Sequence, residues 1–274
     1  MQIKTAISGI ILSVLSGVSF SQTFGATQKI WQQKSLYRNI IVLEGNGYRC
    51  LTFGKRSARQ SCIENENPQK LIFGYTQRIF EAIKLIPEPS SVLVIGIGGG
   101  SLPMAIRNHF PNTQIDAVEL DAEVIKVAER YFQFKPDLKL SVFAEDGRVF
   151  IRKSLRRKIK YDVIVLDAFD KDYIPEHMAS VEFIKQIQKS LSPHGILLSN
   201  TYKDTKFAPY EESTYQKVFG VIQESLIDNG NRIIIAGHES AKIAERLPDS
   251  GPVAASKAPE MTDRYSPANA LLIH

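Results

Sequence analysis

The pattern of hydrophobic and polar residues changes near residue 90. Over residues 37–66, short runs rich in β-branched residues are separated by turn residues, which predicts a small N-terminal antiparallel β appendage. After residue 90, short apolar runs typical of buried strands alternate with segments of helical period. This alternation is typical of an α/β fold with a doubly wound, mostly parallel sheet, and we assign residues 69–274 to it.

The pattern also predicts the order of the elements. Helices are expected over residues 69–86, 101–109, 122–131, 148–155, 180–190 and 211–228. Strands are expected over residues 92–95, 115–118, 138–143, 161–166, 196–199, 231–236 and 268–273, with a surface loop over residues 240–263. Doubly wound sheets bind their ligands beyond the carboxyl ends of the strands, so residues at those ends are the candidates for function.

A glycine cluster follows the first of these strands, at Gly96, Gly98, Gly99 and Gly100, and the next strand ends in Glu119. Glycine lets the backbone turn tightly and approach a ligand closely. An acid at the end of the second strand can accept hydrogen bonds from ribose hydroxyls. The pattern therefore predicts a nucleotide-binding βαβ unit, and the alternative is a turn that merely needs glycine.

Further carboxylates stand at the ends of later strands. Asp146 could accept a hydrogen bond from an adenine amino group, or it could cap the helix that begins near Gly147. Asp167 and Asp170 follow a buried strand three residues apart. A primary amine is protonated at neutral pH and must lose a proton before it acts as a nucleophile. The pair is predicted to bind or deprotonate an amine, and the alternative is a loop whose acids cap the next helix or stay solvated.

Other kinds of site are not favoured. Ser101 stands where a dinucleotide fingerprint has its third glycine, which argues against hydride transfer. The sequence has no G-x-S-x-G nucleophile elbow, so a Ser-His-Asp hydrolase is not expected. His177 and His194 have no partner at a spacing typical of metal ligands, and no metal site is predicted.

The chain is mildly basic, with a net charge of +5 and a pI near 9.0. Its basic cluster over residues 152–160 is interpreted as a solvated helix face, and no nucleic-acid partner is expected.

The amino terminus has the pattern of a secretory signal peptide over residues 1–21. A basic start precedes an apolar stretch, and Ser19 and Ser21 supply the small residues of a cleavage site. Export to the periplasm is expected, with membrane attachment only if this segment stays as an uncleaved anchor. Cys50 and Cys62 flank a predicted hairpin turn and would face each other, which allows a disulfide suited to an exported protein. Two free thiols are the alternative.

Five segments resemble, in order and spacing, the spermidine synthase-like proteins, which are polyamine aminopropyltransferases. The segments are VLVIGIGGGSLP, AVELD, AEDG, YDVIVLDAFD and HGILLSN. The resemblance covers residues 37–235, and TDRYSP at 262–267 is similar to the closing segment of bacterial members. It implies a Rossmann-like fold of the class I methyltransferase type after a small β domain. It also implies a transferase without a tightly bound cofactor, which moves the aminopropyl group of its co-substrate, decarboxylated S-adenosylmethionine, to a diamine such as putrescine in polyamine biosynthesis.

The resemblance assigns roles to single residues. Asp167 would be the catalytic base and Asp170 would assist at the amine. Glu119 would bind the ribose of the donor and Asp146 would contact its adenine. The remaining residues implied at the donor are Gly96, Gly98, Gly99, Gly100 and Gly147, and those implied at the amine substrate are Tyr75 and Gln77.

The departures from the family pattern concern the aminopropyl and amine end of the site. Gly99 replaces the aspartate that helps to hold the donor's amino group in authentic spermidine synthases, and Thr76 replaces a histidine beside the active-site tyrosine. GIGGGSLP also resembles domains that methylate the amino terminus of a translation elongation factor. Two alternatives stay open: an S-adenosylmethionine-dependent methyltransferase and an exported, non-catalytic binder of nucleosides or polyamines. A homodimer is also considered.

Overall fold

The computed structural model describes residues 27–54, 59–168, 176–227 and 230–265. Its smaller sheet is antiparallel and lies at the amino-terminal end of the chain, with the strand order β1-β2-β3-β4. These strands are β1 (Gln28–Lys34), β2 (Asn39–Gly45), β3 (Tyr48–Phe53) and β4 (Arg59–Glu64). The N-terminal antiparallel appendage is therefore present, but it begins before the predicted residue 37. The omitted strand, QKIWQQK, is largely exposed, so it lacks the apolar signal of a buried strand.

The larger sheet contains eight strands within the described residues. They are β5 (Ser91–Ile95), β6 (Gln114–Glu119), β7 (Leu140–Ala144), β8 (Tyr161–Leu166), β9 (Leu191–Tyr202), β10 (Gln223–Leu226), β11 (Asn231–Gly237) and β12 (Ser250–Pro252). The helices are α1 (Gly74–Lys84), α2 (Ser101–His109), α3 (Ala122–Tyr131), α4 (Gly147–Arg156), α5 (Val181–Ser190), α6 (Ala208–Phe219) and α7 (Ser240–Ala244). The predicted α/β fold with a mostly parallel sheet is confirmed.

The strand order β12-β10-β11-β9-β8-β5-β6-β7 creates a switch point between β5 and β8. From β5 the chain goes to β6 on one side and later to β8 on the other, and the pairs among β5 to β9 are parallel. The strands β10, β11 and β12 join the sheet antiparallel. In sheets of this kind a crevice opens at the carboxyl ends of the strands beside the switch point.

The core has one layer on each face of the larger sheet. Because successive strand side chains point to opposite faces, Val94 packs with Ile83 of α1 in one cluster, while Leu93 packs with Phe183 of α5 in the other. The smaller sheet packs on α3, where Leu51 and neighbouring strand residues meet Val127. This third cluster holds the antiparallel sheet against the helical layer of the larger sheet.

Local signals locate several helix ends correctly. The side chain of Asp121 caps α3 by accepting a hydrogen bond from the backbone N–H of Glu123, as predicted. Ser180 caps α5 in the same way. The predicted range of residues 101–109 for α2 is confirmed.

The carboxyl-terminal third departs from prediction. A helix over residues 211–228 is wrong because α6 ends at Phe219, before Gly220 with φ 76°, and Gln223–Leu226 forms strand β10. The segment interpreted as a loop over residues 240–263 contains α7 and β12. The first predicted helix begins at Gly74 rather than at residue 69. The expected strand over residues 268–273 lies outside the described residues.

Cys50 and Cys62 are paired across β3 and β4 and form a disulfide. The hairpin placement derived from the sequence is confirmed, and the alternative of two free thiols is wrong. Residues 1–21, interpreted as a signal peptide, lie outside the described residues. Among the helices that the structure describes, none has the length and apolar character to cross a membrane.

Candidate active site

The glycine turn joins β5 to α2 at the switch point. Gly96 has φ 88°, and a Cβ atom there would lie 2.1 Å from the backbone oxygen of Asp167, so only glycine fits. The backbone N–H of Asp167 donates to the carbonyl of Ile95 at 2.8 Å, and that of Gly96 donates to Val118 at 2.8 Å. The ends of β5, β6 and β8 are therefore tied together around the turn.

Glu119 ends β6 beside this turn and is buried. Its carboxylate accepts hydrogen bonds from the backbone N–H of Ile97 at 3.3 Å and from that of Asp121 at 3.2 Å. Burial raises the pKa of Glu119, while the hydrogen bond from Asp121 and the charge of Arg38 act in the opposite direction. A buried, oriented carboxylate at this strand end can accept hydrogen bonds from a sugar diol.

Asp167 follows β8 and is the carboxylate with the most altered environment among the predicted site residues. Burial raises its pKa from 3.8 to about 7, and the nearby charge of Glu119 acts in the same direction. Hydrogen bonds from the Asn200 amide and the Tyr75 hydroxyl partly offset this effect because they favour the ionised form. A carboxylate with a pKa near neutrality is suited to act as a general base at that pH.

Tyr75 lies on α1 and meets Asp167 through its hydroxyl group, so two predicted residues separated in the chain are brought together. Burial raises the pKa of Tyr75 well above its ordinary value, and the charge of Asp167 adds to the effect. Tyr75 therefore stays a neutral hydrogen-bond donor to the carboxylate. Its ring stacks on Phe73, with centroids 5.9 Å apart, which restricts its orientation.

Asp146 caps α4, because its Oδ1 accepts a hydrogen bond from the backbone N–H of Val149 at 2.9 Å. Its Oδ2 lies 3.4 Å from Nε2 of His177. The capping alternative derived from the sequence is thus present, and a contact with adenine stays a prediction. A Cβ atom on Gly147 would lie 2.5 Å from the Ile95 side chain, so this glycine allows α4 to pack closely on β5.

One predicted site residue is not brought into this group. Gln77 is exposed, and its amide donates to the carbonyl of Leu71 at 2.7 Å, which supports the start of α1. Asp170 lies outside the described residues. The substrate role of Gln77 and the assisting role of Asp170 stay predictions.

Sequence reasoning missed the polar residues that surround Asp167 from β9 and β11. The side-chain amide of Asn200 donates to Oδ1 of Asp167 at 2.9 Å, and Nδ2 of Asn231 donates to the side-chain Oδ1 of Asn200 at 3.1 Å. The charge of Tyr202 adds to the effects that raise the pKa of Tyr75. Asn200 directly follows the predicted strand 196–199, so its place at a strand end was a usable signal. No sequence signal indicated the contact of Asn231 with Asn200, because this contact depends on the antiparallel pairing of β11 with β9.

The smaller sheet packs against the glycine turn through Ser61 of β4. A Cβ atom on Gly99 would lie 2.7 Å from Oγ of Ser61 and 3.0 Å from the ring of Phe132. Neither neighbour is charged. The space that an aspartate side chain would need at this position is therefore occupied by the hydroxyl of β4 and by the aromatic ring after α3.

The comparisons with known proteins identify the family of the chain. Residues 73–223 match the spermine/spermidine synthase domain. A polyamine aminopropyltransferase of Vibrio vulnificus (strain CMCP6) is 34% identical over 278 residues, which cover 91% of this chain and 93% of the relative. The chain belongs to the spermine/spermidine synthase family. The glycine turn, Glu119 and Asp167 lie at the carboxyl ends of the strands, where the βαβ pattern predicted a ligand site.

Two further similarities describe the breadth of the family fold. A probable spermidine synthase from Corynebacterium glutamicum ATCC 13032 superposes with a TM-score of 0.69 at 18% identity, covering 86% of this chain and 97% of that structure. An eEF1A lysine and N-terminal methyltransferase of Bos taurus is 34% identical over 124 residues, which cover 42% of this chain but only 18% of that protein. The family's fold thus has relatives that are named for aminopropyl transfer and others named for methyl transfer.

Proposed function

We propose that the protein is a polyamine aminopropyltransferase. It transfers the aminopropyl group of decarboxylated S-adenosylmethionine, bound as a co-substrate, to a diamine such as putrescine. The similarity to the Vibrio vulnificus aminopropyltransferase extends over nearly the whole of both chains, which supports a shared activity rather than a shared domain.

The observation that carries the proposal is the carboxylate of Asp167 at the end of β8, which accepts hydrogen bonds from Asn200 and Tyr75 and whose pKa burial raises to about 7. The diamine enters as an ammonium ion and gives one proton to the carboxylate of Asp167. The freed nitrogen lone pair attacks the aminopropyl carbon next to sulfur, a C–N bond forms, and the C–S bond breaks with its electrons staying on sulfur. Methylthioadenosine leaves as a neutral thioether. Tyr75 and Asn200 orient the carboxylate, and Glu119 holds the ribose of the donor.

Product analysis with each donor tests this proposal. The purified chain is incubated with putrescine and either decarboxylated S-adenosylmethionine or S-adenosylmethionine, and products are identified by mass spectrometry. Spermidine and methylthioadenosine are expected only with the decarboxylated donor, and the Asp167→Asn variant should form both at least about 10²-fold more slowly. Formation of S-adenosylhomocysteine and a methylated amine would instead establish methyl transfer. If neither donor binds in calorimetry, both enzymatic functions are refuted.

Methyl transfer is the second candidate because of the surroundings of Gly99. The aspartate that holds the donor's amino group in authentic spermidine synthases is replaced here, and Ser61 and Phe132 fill the space beside Gly99. The match to the eEF1A methyltransferase supports the same candidate. If calorimetry shows that the chain binds nucleosides or polyamines but forms no product, the third candidate, a non-catalytic binder, is favoured.

We further propose that the protein is exported to the periplasm, with membrane attachment only if the amino-terminal segment is not cleaved. The signal-like pattern of residues 1–21 and the Cys50–Cys62 disulfide support this location, because disulfides persist mainly in oxidising compartments. Cell fractionation with amino-terminal sequencing tests it: a mature chain starting at residue 22 is expected in the periplasm. An unprocessed chain in the cytosol would refute export. Light scattering on the same preparation tests whether the protein is a homodimer.

A further inference from the structure

Strands β9 and β11 bring two histidines and a glutamate together at the end of the sheet that lies opposite to Asp167. Each of the three residues His194, His238 and Glu239 offers one ligand atom, and these three atoms lie within 4.8 Å of one another. Sequence spacing suggested no metal-binding partner for His194, and the tertiary structure places His238 and Glu239, which are distant in the chain, beside it. His194 precedes the part of β9 that pairs with β11, whereas His238 and Glu239 follow the end of β11.

The backbone under this cluster is tightly fixed. Ile196 and Gly237 are opposed in the antiparallel pairing of β9 and β11. Gly237 has φ 125°, and a Cβ atom there would lie 2.5 Å from the carbonyl oxygen of Gly195. Glycine is therefore needed beside His238, and the close approach of the two strands holds His194 beside His238. Their ring centroids are 5.3 Å apart.

The carboxylate of Glu239 is oriented by its neighbours. Its Oε1 faces both imidazoles, at 3.8 Å from Nδ1 of His194 and 3.9 Å from Nε2 of His238. Its Oε2 instead binds the ammonium group of Lys242 at 2.8 Å. Oε1 is thus directed at the histidines while Oε2 is held by Lys242. Metal sites commonly have ligands that are oriented in this way by a second layer of hydrogen bonds.

We propose that His194, His238 and Glu239 form a binding site for a divalent transition-metal ion such as Zn²⁺. Two imidazoles and one carboxylate are a ligand set that suits Zn²⁺ and leaves its fourth position open. Tetrahedral Zn²⁺ places its ligand atoms about 3.3 Å apart, so the histidine-to-carboxylate distances of 3.8 and 3.9 Å must shorten by about half an ångström, and the distance between the two ring nitrogens, which is within 4.8 Å, by up to about 1.5 Å. The two histidine side chains are 76% and 65% exposed, and they are therefore free to rotate by that amount.

A cavity adjoins the proposed site and gives room for a further ligand on the metal. Its volume is about 600 Å³, and His194 and Glu239 belong to its lining together with the apolar residues Leu85, Pro87 and Ile243. A metal ion held by the cluster would therefore have an open position next to a cavity whose lining is apolar in part and also carries charged residues such as Asp162 and Arg246. This site is separate from the strand-end crevice and does not depend on the proposed function.

Calorimetric titration of the tag-free, full chain with Zn²⁺ tests the site. We expect one equivalent to bind, and the affinity to fall by about tenfold or more in His194→Gln, His238→Gln and Glu239→Gln. The matched control is His109→Gln, an exposed histidine that packs against Phe80 and Phe110, which should leave the affinity unchanged. Circular dichroism verifies that each variant is folded. No saturable binding, or equal binding by all variants, would overturn the proposal.

A second measurement uses only the unaltered chain. Zn²⁺ that binds the folded state should raise its thermal midpoint as the concentration of the ion increases. In nuclear magnetic resonance spectra, the backbone amides of Gly195 and Gly237 should shift on addition of Zn²⁺ until one equivalent is reached. Shifts confined to other regions, such as the strand-end crevice, would refute the assignment to this cluster.

Discussion

The side-chain amide of Asn200 donates a hydrogen bond to Oδ1 of Asp167 at 2.9 Å. The orientation of that amide is fixed by Asn231, which donates a hydrogen bond to Oδ1 of Asn200 at 3.1 Å. The NH₂ group of Asn200 therefore faces the carboxylate. A hydrogen bond donated to a carboxylate favours its ionised form, which opposes the effect of burial. Asn200 acts as a positioning residue that adjusts both the direction and the pKa of the proposed base.

The first prediction concerns the pH dependence of kcat/KM for aminopropyl transfer. Because Asp167 must be ionised to accept a proton and has a pKa of about 7, kcat/KM should rise with pH through a midpoint near 7. In Asn200→Ala the midpoint should move upward by about 1 pH unit, since the lost hydrogen bond stabilised the carboxylate. Steady-state kinetics between pH 5 and 9 measure both. The control is Ser199→Ala on the same strand, whose hydroxyl pairs with Tyr215. An unchanged midpoint in Asn200→Ala would contradict the role of Asn200.

The second prediction separates activity from stability at Asp167. Asp167→Asn should lower kcat by about 10²- to 10⁴-fold while donor binding is retained, because only proton acceptance is lost. The folded-state pKa of this acid lies above its unfolded value, so ionising it costs stability as pH rises from about 4 to about 7. Asp167→Asn should therefore have a higher thermal midpoint than the unaltered protein at pH 8, and the difference should vanish near pH 4.

Asp137→Asn is the matched control, because the pKa of Asp137 is lowered by a hydrogen bond from the backbone of Lys139 and by Arg107. Its stability effect should have the opposite sign: this variant loses stability at pH 8 and not at low pH. Equal responses of the two variants to pH would show that burial of Asp167 is not the cause.

The third prediction compares three glycines. Gly96→Ala should prevent stable folding, since its φ is 88° and the added atom would overlap the backbone oxygen of Asp167. Gly220→Ala has a φ of 76° and a ψ of −108°, a backbone conformation that L residues rarely adopt, but it meets open space, so it should cost about 1–3 kcal/mol from backbone strain alone. Gly99→Ala has no φ strain but meets Ser61 and Phe132, and it should cost about 1–3 kcal/mol. Denaturant unfolding measures all three.

The cost at Gly99 has a specific rescue. Adding Ser61→Ala to Gly99→Ala removes the hydroxyl that would lie 2.7 Å from the new Cβ, so part of the lost stability should return. Ser61→Ala in the unaltered background gives the reference for a double-mutant cycle. Additive effects of the two changes would show that the smaller sheet does not crowd the glycine turn.

The fourth prediction concerns Arg232, which is fully buried among acids. Its guanidinium pairs with Glu211 at 3.5 Å and Glu224 at 3.3 Å, and it also contacts Glu212. Arg232→Met should cost about 3–5 kcal/mol at pH 8, because buried carboxylates lose their cation. Burial raises the pKa of Glu211 to about 7 even with Arg232 present, so the cost should be smaller at pH 5, where this acid is neutral. Arg152→Met, on an exposed part of α4, is the control and should be near neutral at both pH values.

Much of the fold was predictable because its signals are local. The glycine turn, the range of α2 and the cap at Asp121 each depend on residues within one or two turns of the chain. The run 211–228 could not be divided correctly from periodicity, since Gln223–Leu226 becomes a strand only by pairing with Ile235 and its neighbours on β11. The strand Gln28–Lys34 was missed for a related reason: an exposed edge strand carries no apolar pattern.

The sequence by itself determined the order of strands and helices after residue 90 as far as β9, the acids at the strand ends, and the facing positions of Cys50 and Cys62. These follow from short-range periodicity and turn chemistry. The tertiary structure decided which distant groups meet: Asn200 and Tyr75 at Asp167, Ser61 at Gly99, and His194 with Glu239. Such meetings depend on strand order and on packing between sheets, and the burial that raises the pKa of Asp167 exists only once those layers have closed.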